Sequence, residues 1–202
     1  MNRNSLIYTV VFTFLTAFFF VFLLALANGA TAGLVAENRR LSVQQSVLFS
    51  LNLLPEDPQA VAEEYDKRFN RIPEPGDLLK TSLEGQPVSV KYFSGAGLWG
   101  TITGVLAVDD SLERIIGLDV ISHNETPGLG GRIDEEWFRE QFRGERIPEE
   151  GITVAKGTGA VDTDRENGRV DGITGASLTS KSVETIINTE LGKFRNEGAA
   201  DE

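Results

Sequence analysis

The chain has 202 residues, enough for one ordinary domain with a buried core plus additional segments. It has no cysteine and one histidine, His123. That composition excludes disulfides, iron–sulfur clusters and thiolate nucleophiles, and it leaves little room for a metal centre, so none is expected. The net charge of −11 disfavours a partner with a phosphate backbone.

From the N-terminus, Ser5 to Ala27 form an uninterrupted uncharged run, and six of the 12 phenylalanines fall between Phe12 and Phe22. A helix of about 20 apolar residues crosses a hydrocarbon core, so this run predicts a transmembrane helix with Tyr8 at an interface. Ala25-Leu26-Ala27 also fits a signal-peptidase site. The run exceeds the roughly 7–15 residues of a signal-peptide core, which favours a retained, single-pass anchor. Arg3 precedes the run while Arg39 and Arg40 follow it, so charge alone does not set its orientation.

Gly29 and Gly33 are expected to loosen the helix exit. Residues 34 to 52 read as helical again, with Leu34, Leu41 and Leu48 recurring every seven residues beside Val47 and Leu51. This stripe serves either core packing or a partner. Pro55 and Pro58 should end it, residues 59 to 70 suggest a short acidic helix, and residues 72 to 77 a turn-rich linker. The expected division is an anchor at 1–28, a juxtamembrane helical segment and linker at 29–77, the main domain at 78–196, and an acidic tail at 197–202.

Within the main domain, Val88, Val90 and Tyr92 alternate with polar residues, as in a half-buried strand. Further strands are expected over Leu98 to Val108, Arg114 to Ser122 and Ile152 to Ala155, with a hairpin loop at Asp109-Asp110. Residues 134 to 143 predict a helix capped by Asp134 and burying Trp137, Phe138 and Phe142. A closing helix from Thr179 to Phe194 carries Val183, Ile186, Ile187, Leu191 and Phe194 as its apolar stripe. This order predicts an α+β fold: an N-terminal transmembrane helix, then an antiparallel sheet with flanking helices.

Just before the closing helix lies Asp171-Gly172-Ile173-Thr174-Gly175-Ala176-Ser177-Leu178-Thr179-Ser180. Gly175 permits backbone angles and close approaches that other residues do not. Hydroxyl groups crowd a helix N-terminus, where N–H groups and the helix dipole favour an anion such as a phosphate. No Walker lysine is present, so this is not a nucleotide P-loop. Alone, such a string is also an ordinary helix cap.

The whole string resembles the flavin-attachment motif of the FMN-binding domain family, found in the C subunit of Na+-translocating NADH:quinone reductase and the G subunit of the Rnf electron transport complex. Asp171, Thr174, Gly175, Ala176, Ser177, Thr179 and Ser180 match its pattern. In the family, the hydroxyl after Gly-Ala is phosphoester-linked to FMN. That position is Ser177, where the family more often has Thr, and a serine hydroxyl offers the same oxygen without the stiffening methyl. His123 to Gly131 resembles the family's ETPGLG loop, with Glu125, Thr126, Gly128, Leu129 and Gly130 as expected cofactor-site residues, and Trp137 follows it as in the family. Gly97-Leu98-Trp99-Gly100 resembles the GLW of the quinone-reductase branch, which places Trp99 beside the isoalloxazine. Leu178, inside the attachment motif, joins the expected site.

The resemblance implies a flavoprotein that relays electrons as a redox subunit of a respiratory, ion-translocating oxidoreductase complex. It implies covalent FMN, partner membrane subunits, a flavin transferase, and a position in the cell inner membrane with the soluble domain on the extracytoplasmic side. No residue is expected to act as a general acid or base. Two other readings remain open at this point. One is a non-catalytic membrane-anchored scaffold using the Leu34/Leu41/Leu48 stripe. The other is a serine hydrolase, from Gly175-Ala176-Ser177, although Thr179 replaces the second glycine of a nucleophile elbow and His123 precedes the serine.

Overall fold

A computed structural model describes residues 6–157 and 161–198. The described residues divide into two compact units between Arg40 and Leu41. Arg3 and most of the expected acidic tail lie outside the described residues.

The first unit is helical. Helix α1 runs over Leu6–Ser50 without a break at Gly29 or Gly33, where loosening was expected. Two glycines each cost a helix about 1 kcal/mol relative to alanine, which the many helical residues on either side absorb. Along the apolar run its large side chains, among them Phe14, Phe18, Phe20 and Leu24, are exposed. It is long and apolar enough to cross a membrane.

The second unit begins on the last turns of α1. The helix ends at Ser50 and is closed at Asn52, before the prolines. Asn52 has φ 57, its N–H donates to Phe49 O at 3.0 Å, and Leu53 N–H donates to Leu48 O at 2.8 Å. This pair of reversed bonds is a Schellman closure, which asparagine tolerates in the left-handed region. Arg143 donates to Phe49 O at 3.0 Å and places a cation at the helix's negative end.

Strands β1 (Leu78–Leu83), β2 (Gln86–Ala96), β3 (Thr101–Asp109) and β4 (Ile115–Ser122) form an antiparallel meander in that order. Glu84 and Gly85, both at positive φ, make the two-residue turn between β1 and β2. Both faces of the sheet are covered. Val43, Val47, Leu48 and Leu51 of α1's end, with Val61, Tyr65 and Phe69 in and after α2 (Val61–Asp66), pack on Val88, Val90, Tyr92, Val105 and Ala107. The closing helix, Ser177–Gly198, places Val183, Ile186, Ile187, Leu191 and Phe194 in a second cluster with Phe93, Ile102, Leu106 and Leu118.

Four differences from the sequence reading follow from this layering. The segment assigned to 29–77 is not separate: from Leu41 onward it supplies one of the domain's two cores. Leu48 is buried, whereas Leu34 stands 69% exposed. Strand β2 is buried on both faces, with Ser89 and Lys91 on the closing helix's side and the Lys91 ammonium 5.7 Å from the Phe194 ring. The helix expected over 134–143 is three short turns, Gly130–Asp134, α3 (Glu136–Arg139) and Glu140–Phe142. Asp134 does not cap it; Glu135 precedes α3, with no side-chain cap bond.

Strands β5 (Thr153–Lys156) and β6 (Arg169–Gly172) pair in parallel as a separate two-stranded sheet. The sequence showed neither β1 nor β6 as a strand, because LLKTSL and RVDG are short and carry little alternation. Strand β6 delivers the chain to the N-terminus of the closing helix, α4 (Ser177–Gly198).

Candidate functional site

Between β6 and α4 the chain turns at Thr174 and Gly175. Gly175 has φ +82, and a side chain there would also meet Leu129 Cδ2 at 3.4 Å. Ala176 N–H closes the turn on Ile173 O at 3.0 Å. Ser180 Oγ then accepts from Ile173 N–H and donates to Ala176 O, both at 3.0 Å, which fixes the turn to the helix. The helix thus starts at Ser177, two residues earlier than the sequence suggested. The residue in front of it, Ala176, has no side-chain oxygen to cap the exposed N–H groups. Ser177 itself is exposed. A hydroxyl therefore stands on the positive end of a long helix with the anion-favouring groups beside it.

Two clefts flank this turn, with Gly172 and Thr174 in the wall of both. One, of about 260 Å³, is lined by Lys156, Gly175, Ser177 and Ser180. The other, of about 240 Å³, is lined by Arg132, Trp137, Gly157, Val161 and Asp171. The Arg132 guanidinium lies 5.2 Å from the Trp137 ring and pairs with Glu135 at 3.0 Å. A cation is thus placed in the wall of each cleft.

Glu125 links the loops around the turn. Its Oε1 accepts from Leu98 N–H at 2.8 Å and Trp99 N–H at 3.0 Å. Its Oε2 accepts from the Thr179 hydroxyl at 2.6 Å. Burial by itself raises this carboxyl's pKa. The bonds from Thr179, Trp99 and Leu98, with the nearby His123, outweigh burial and hold it below the usual glutamate range. His123 Nδ1 accepts from Glu125 N–H at 3.1 Å, and its Nε2 faces Asp134 at 3.4 Å. Around this framework Leu98, Trp99, Leu129 and Leu178 are exposed, Trp99 by 68% and Leu178 by 65%.

The FMN-binding domain family matches residues 97–191. The G subunit of the Na(+)-translocating ferredoxin:NAD(+) oxidoreductase complex of Acetobacterium woodii is 32% identical over 186 residues, 86% of this chain and 84% of that one. The chain belongs to the FMN-binding domain family. The C subunit of the Na(+)-translocating NADH-quinone reductase of Pseudomonas aeruginosa is 34% identical over 103 residues, 49% of this chain. The match spans 40% of the length of that relative. The crystal structure of the corresponding subunit from Parabacteroides distasonis superposes with a TM-score of 0.62 at 26% identity, covering 78% of this chain and 94% of that one.

The residues present fit a member of the FMN-binding domain family. A phosphate ester needs an accessible hydroxyl and positive surroundings, and Ser177 offers both at a cleft that Lys156 also lines. A flat ring needs an apolar surface, and Trp99, Leu129 and Leu178 leave theirs exposed.

The residues expected from the sequence fall into two groups. Ser177, Leu178, Thr174, Gly175, Thr126, Gly128, Leu129 and Trp99 are exposed. Glu125, Thr179, Asp171, Ala176 and Gly130 are buried and build the frame. Thr126 O accepts from Leu129 N–H and Gly131 N–H at 3.1 and 2.9 Å, folding the loop back on itself. Gly128, at φ +73, has open space where a side chain would go, whereas a side chain at Gly130 would meet Thr179 Oγ1 at 2.5 Å. The Asp171 carboxylate sits against Gly157, where a Cβ would come within 2.6 Å of Asp171 Cγ.

Sequence reasoning missed Lys156, Arg132 and Gln141. The buried Gln141 amide bonds both backbone groups of Asp171, accepting from its N–H at 3.0 Å and donating to its carbonyl at 3.2 Å. A lone glutamine in a helix-like segment gives no signal of this. Arg132 directly follows the ETPGLG loop, so its nearness was available in the sequence, but its pairing with Trp137 was not.

Proposed function

We propose that this chain is an electron-relay subunit of a membrane respiratory complex of the NADH:quinone reductase or Rnf type, with FMN held as a phosphoester on Ser177. The observation that carries the reading is the exposed Ser177 hydroxyl at the uncapped start of α4, with the three loops that resemble family motifs gathered around it. When bound, FMN supplies one- and two-electron transfer. The chain's own residues hold and shield it. Helix α4's N-terminus and Lys156 receive the phosphate charge. Trp99, Leu129 and Leu178 offer apolar surface to the ring and exclude water from its covered side.

The relay is coupled to ion transport through the partner subunits of the complex. Helix α1 serves as the retained single-pass anchor in the inner membrane, with the second unit on the extracytoplasmic side, and a flavin transferase installs the cofactor. A site open on the surface suits relay between partners better than turnover of an enclosed substrate. The hydrolase alternative has no free histidine base, since both ring nitrogens of His123 are engaged, one by Glu125 N–H and the other by Asp134. A scaffold would be colourless. Denaturing electrophoresis of protein co-produced with a flavin transferase should show a fluorescent flavin band, and a dark band under those conditions would remove the reading.

A further inference from the structure

Resting on the reading of Ser177 as a flavin site, we propose that Glu125 is its positioning residue. It touches no cofactor itself, and its carboxylate locks the loop bearing Trp99 onto the first turn of α4, so that Trp99, Leu129 and Leu178 present one surface beside Ser177. Glu125 is 4% exposed, while the apolar side chains it organises are among the most exposed in the second unit. Burial of the carboxylate therefore does not accompany burial of what it holds.

Its two oxygens serve two separate stretches of chain. Oε1 takes both N–H groups of Leu98 and Trp99, 27 and 26 residues earlier, while Oε2 takes the Thr179 hydroxyl, 54 residues later. Trp99 is tied through its backbone here, and its indole stays 68% exposed. The carboxylate thus fixes where the loop carries the indole.

An independent observation supports the clamp. A Cβ at Gly97 would lie 2.5 Å from Glu125 Oε1, and one at Gly130 would lie 2.9 Å from Oε2 and 2.5 Å from Thr179 Oγ1. The Gly97 loop and the far end of Glu125's own loop both come so near the carboxylate that glycine alone leaves it room. A carboxylate accepting from three donors also holds them firmly, since each bond to an ionised acceptor is stronger than a neutral one. Glutamine retains an oxygen able to accept both backbone N–H groups, whereas alanine removes every acceptor and leaves two N–H groups without a partner.

The test uses the full-length chain in detergent, in a Trp137→Phe background so that Trp99 is the sole tryptophan. In flavin-free protein, Glu125→Ala should lower Trp99 fluorescence anisotropy and raise its quenching by acrylamide. Glu125→Gln should restore most of both. In the flavinylated protein, Glu125→Ala should shift the flavin absorption spectrum while the adduct on Ser177 persists. A folded Glu125→Ala protein with unchanged anisotropy and quenching overturns the proposal. Where that variant does not fold, Glu125→Asp replaces it. One methylene shorter, it cannot reach both stretches, so the same losses are expected and unchanged values again overturn the proposal. The tryptophan readout needs no flavin, so a missing adduct on Ser177 would remove the flavin reading and leave this result standing on its own.

Discussion

Glu125 Oε2 and Thr179 Oγ1 meet at 2.6 Å across 54 residues of sequence. That bond joins the ETPGLG loop to the first turn of α4 and sets which hydroxyls of the attachment motif are free. Thr179 is buried and committed to Glu125, and Ser180 is buried and committed to Ile173 and Ala176. Ser177 is left exposed at the helix start, with Thr174 in the preceding turn.

Ser177 should therefore carry the FMN. Mass spectrometry of the peptide spanning Val170 to Lys181, from protein co-produced with a flavin transferase, should show an FMN adduct. Ser177→Ala should abolish it and Ser177→Thr should keep it. An adduct surviving Ser177→Ala would move the site to Thr174, which lines the same cleft.

The two loop glycines should fail for different reasons. Gly128→Ala forces a side chain onto a backbone at φ +73 with open space around it, costing roughly 1 kcal/mol in thermal or denaturant unfolding and leaving the clamp intact. Gly130→Ala pushes a Cβ against Thr179 Oγ1 and Glu125 Oε2, so it should cost more and also raise acrylamide quenching of Trp99 in the Trp137→Phe background. Equal costs with equal quenching would contradict the clamp's geometry.

Gln141→Leu leaves the buried N–H and carbonyl of Asp171 without their partner. Each buried orphan costs about 1–3 kcal/mol, so a loss of roughly 2–6 kcal/mol is expected in urea unfolding. A loss below about 1 kcal/mol would show that water replaces the amide.

Two buried glutamates should respond to pH with opposite signs. Glu125 sits below its ordinary pKa, so the stability it contributes is present above about pH 4.5, its unfolded value, and is lost as pH falls through the lower folded value. Burial pushes Glu145 up, more than the bond from Gly168 N–H at 2.7 Å and Arg165 at 4.0 Å can offset, and its Oε2 has no hydrogen-bond partner. Its contribution is greatest at low pH and falls as pH rises from the unfolded value through the raised one. Glu145→Gln should accordingly raise the melting temperature at pH 7, with the gain shrinking as pH falls through the raised folded value and gone below about 4.5, the unfolded value. A melting temperature unchanged or lowered at pH 7 would mean that the Arg165 pairing outweighs burial.

For α1, Phe19→Arg places a charge near the middle of the apolar run. Insertion should weaken by about 2.5–3.5 kcal/mol, seen as a larger carbonate-extractable fraction of the protein. Unchanged membrane retention would argue against α1 as the anchor.

Local pattern in the sequence determined the apolar helix, β2 to β4, the closing helix and the glycine turn that leads into it. Each is written in neighbouring residues: a long uncharged run, period-two alternation, an i, i+3, i+4 stripe, and a glycine that a left-handed turn requires. The tertiary structure alone decided the rest. Strand β6 exists because it pairs in parallel with β5 and is held by the Gln141 amide, neither of which lies near it in sequence. The end of α1 belongs to the domain because Val47, Leu48 and Leu51 find a sheet face to cover, while Leu34, in the same seven-residue rhythm, finds none. Sequence placed Glu125, Trp99 and Thr179 in three separate motifs. Their meeting depends on a buried carboxylate whose acceptors must be satisfied from elsewhere in the chain, a requirement that exists only once folding has removed the water.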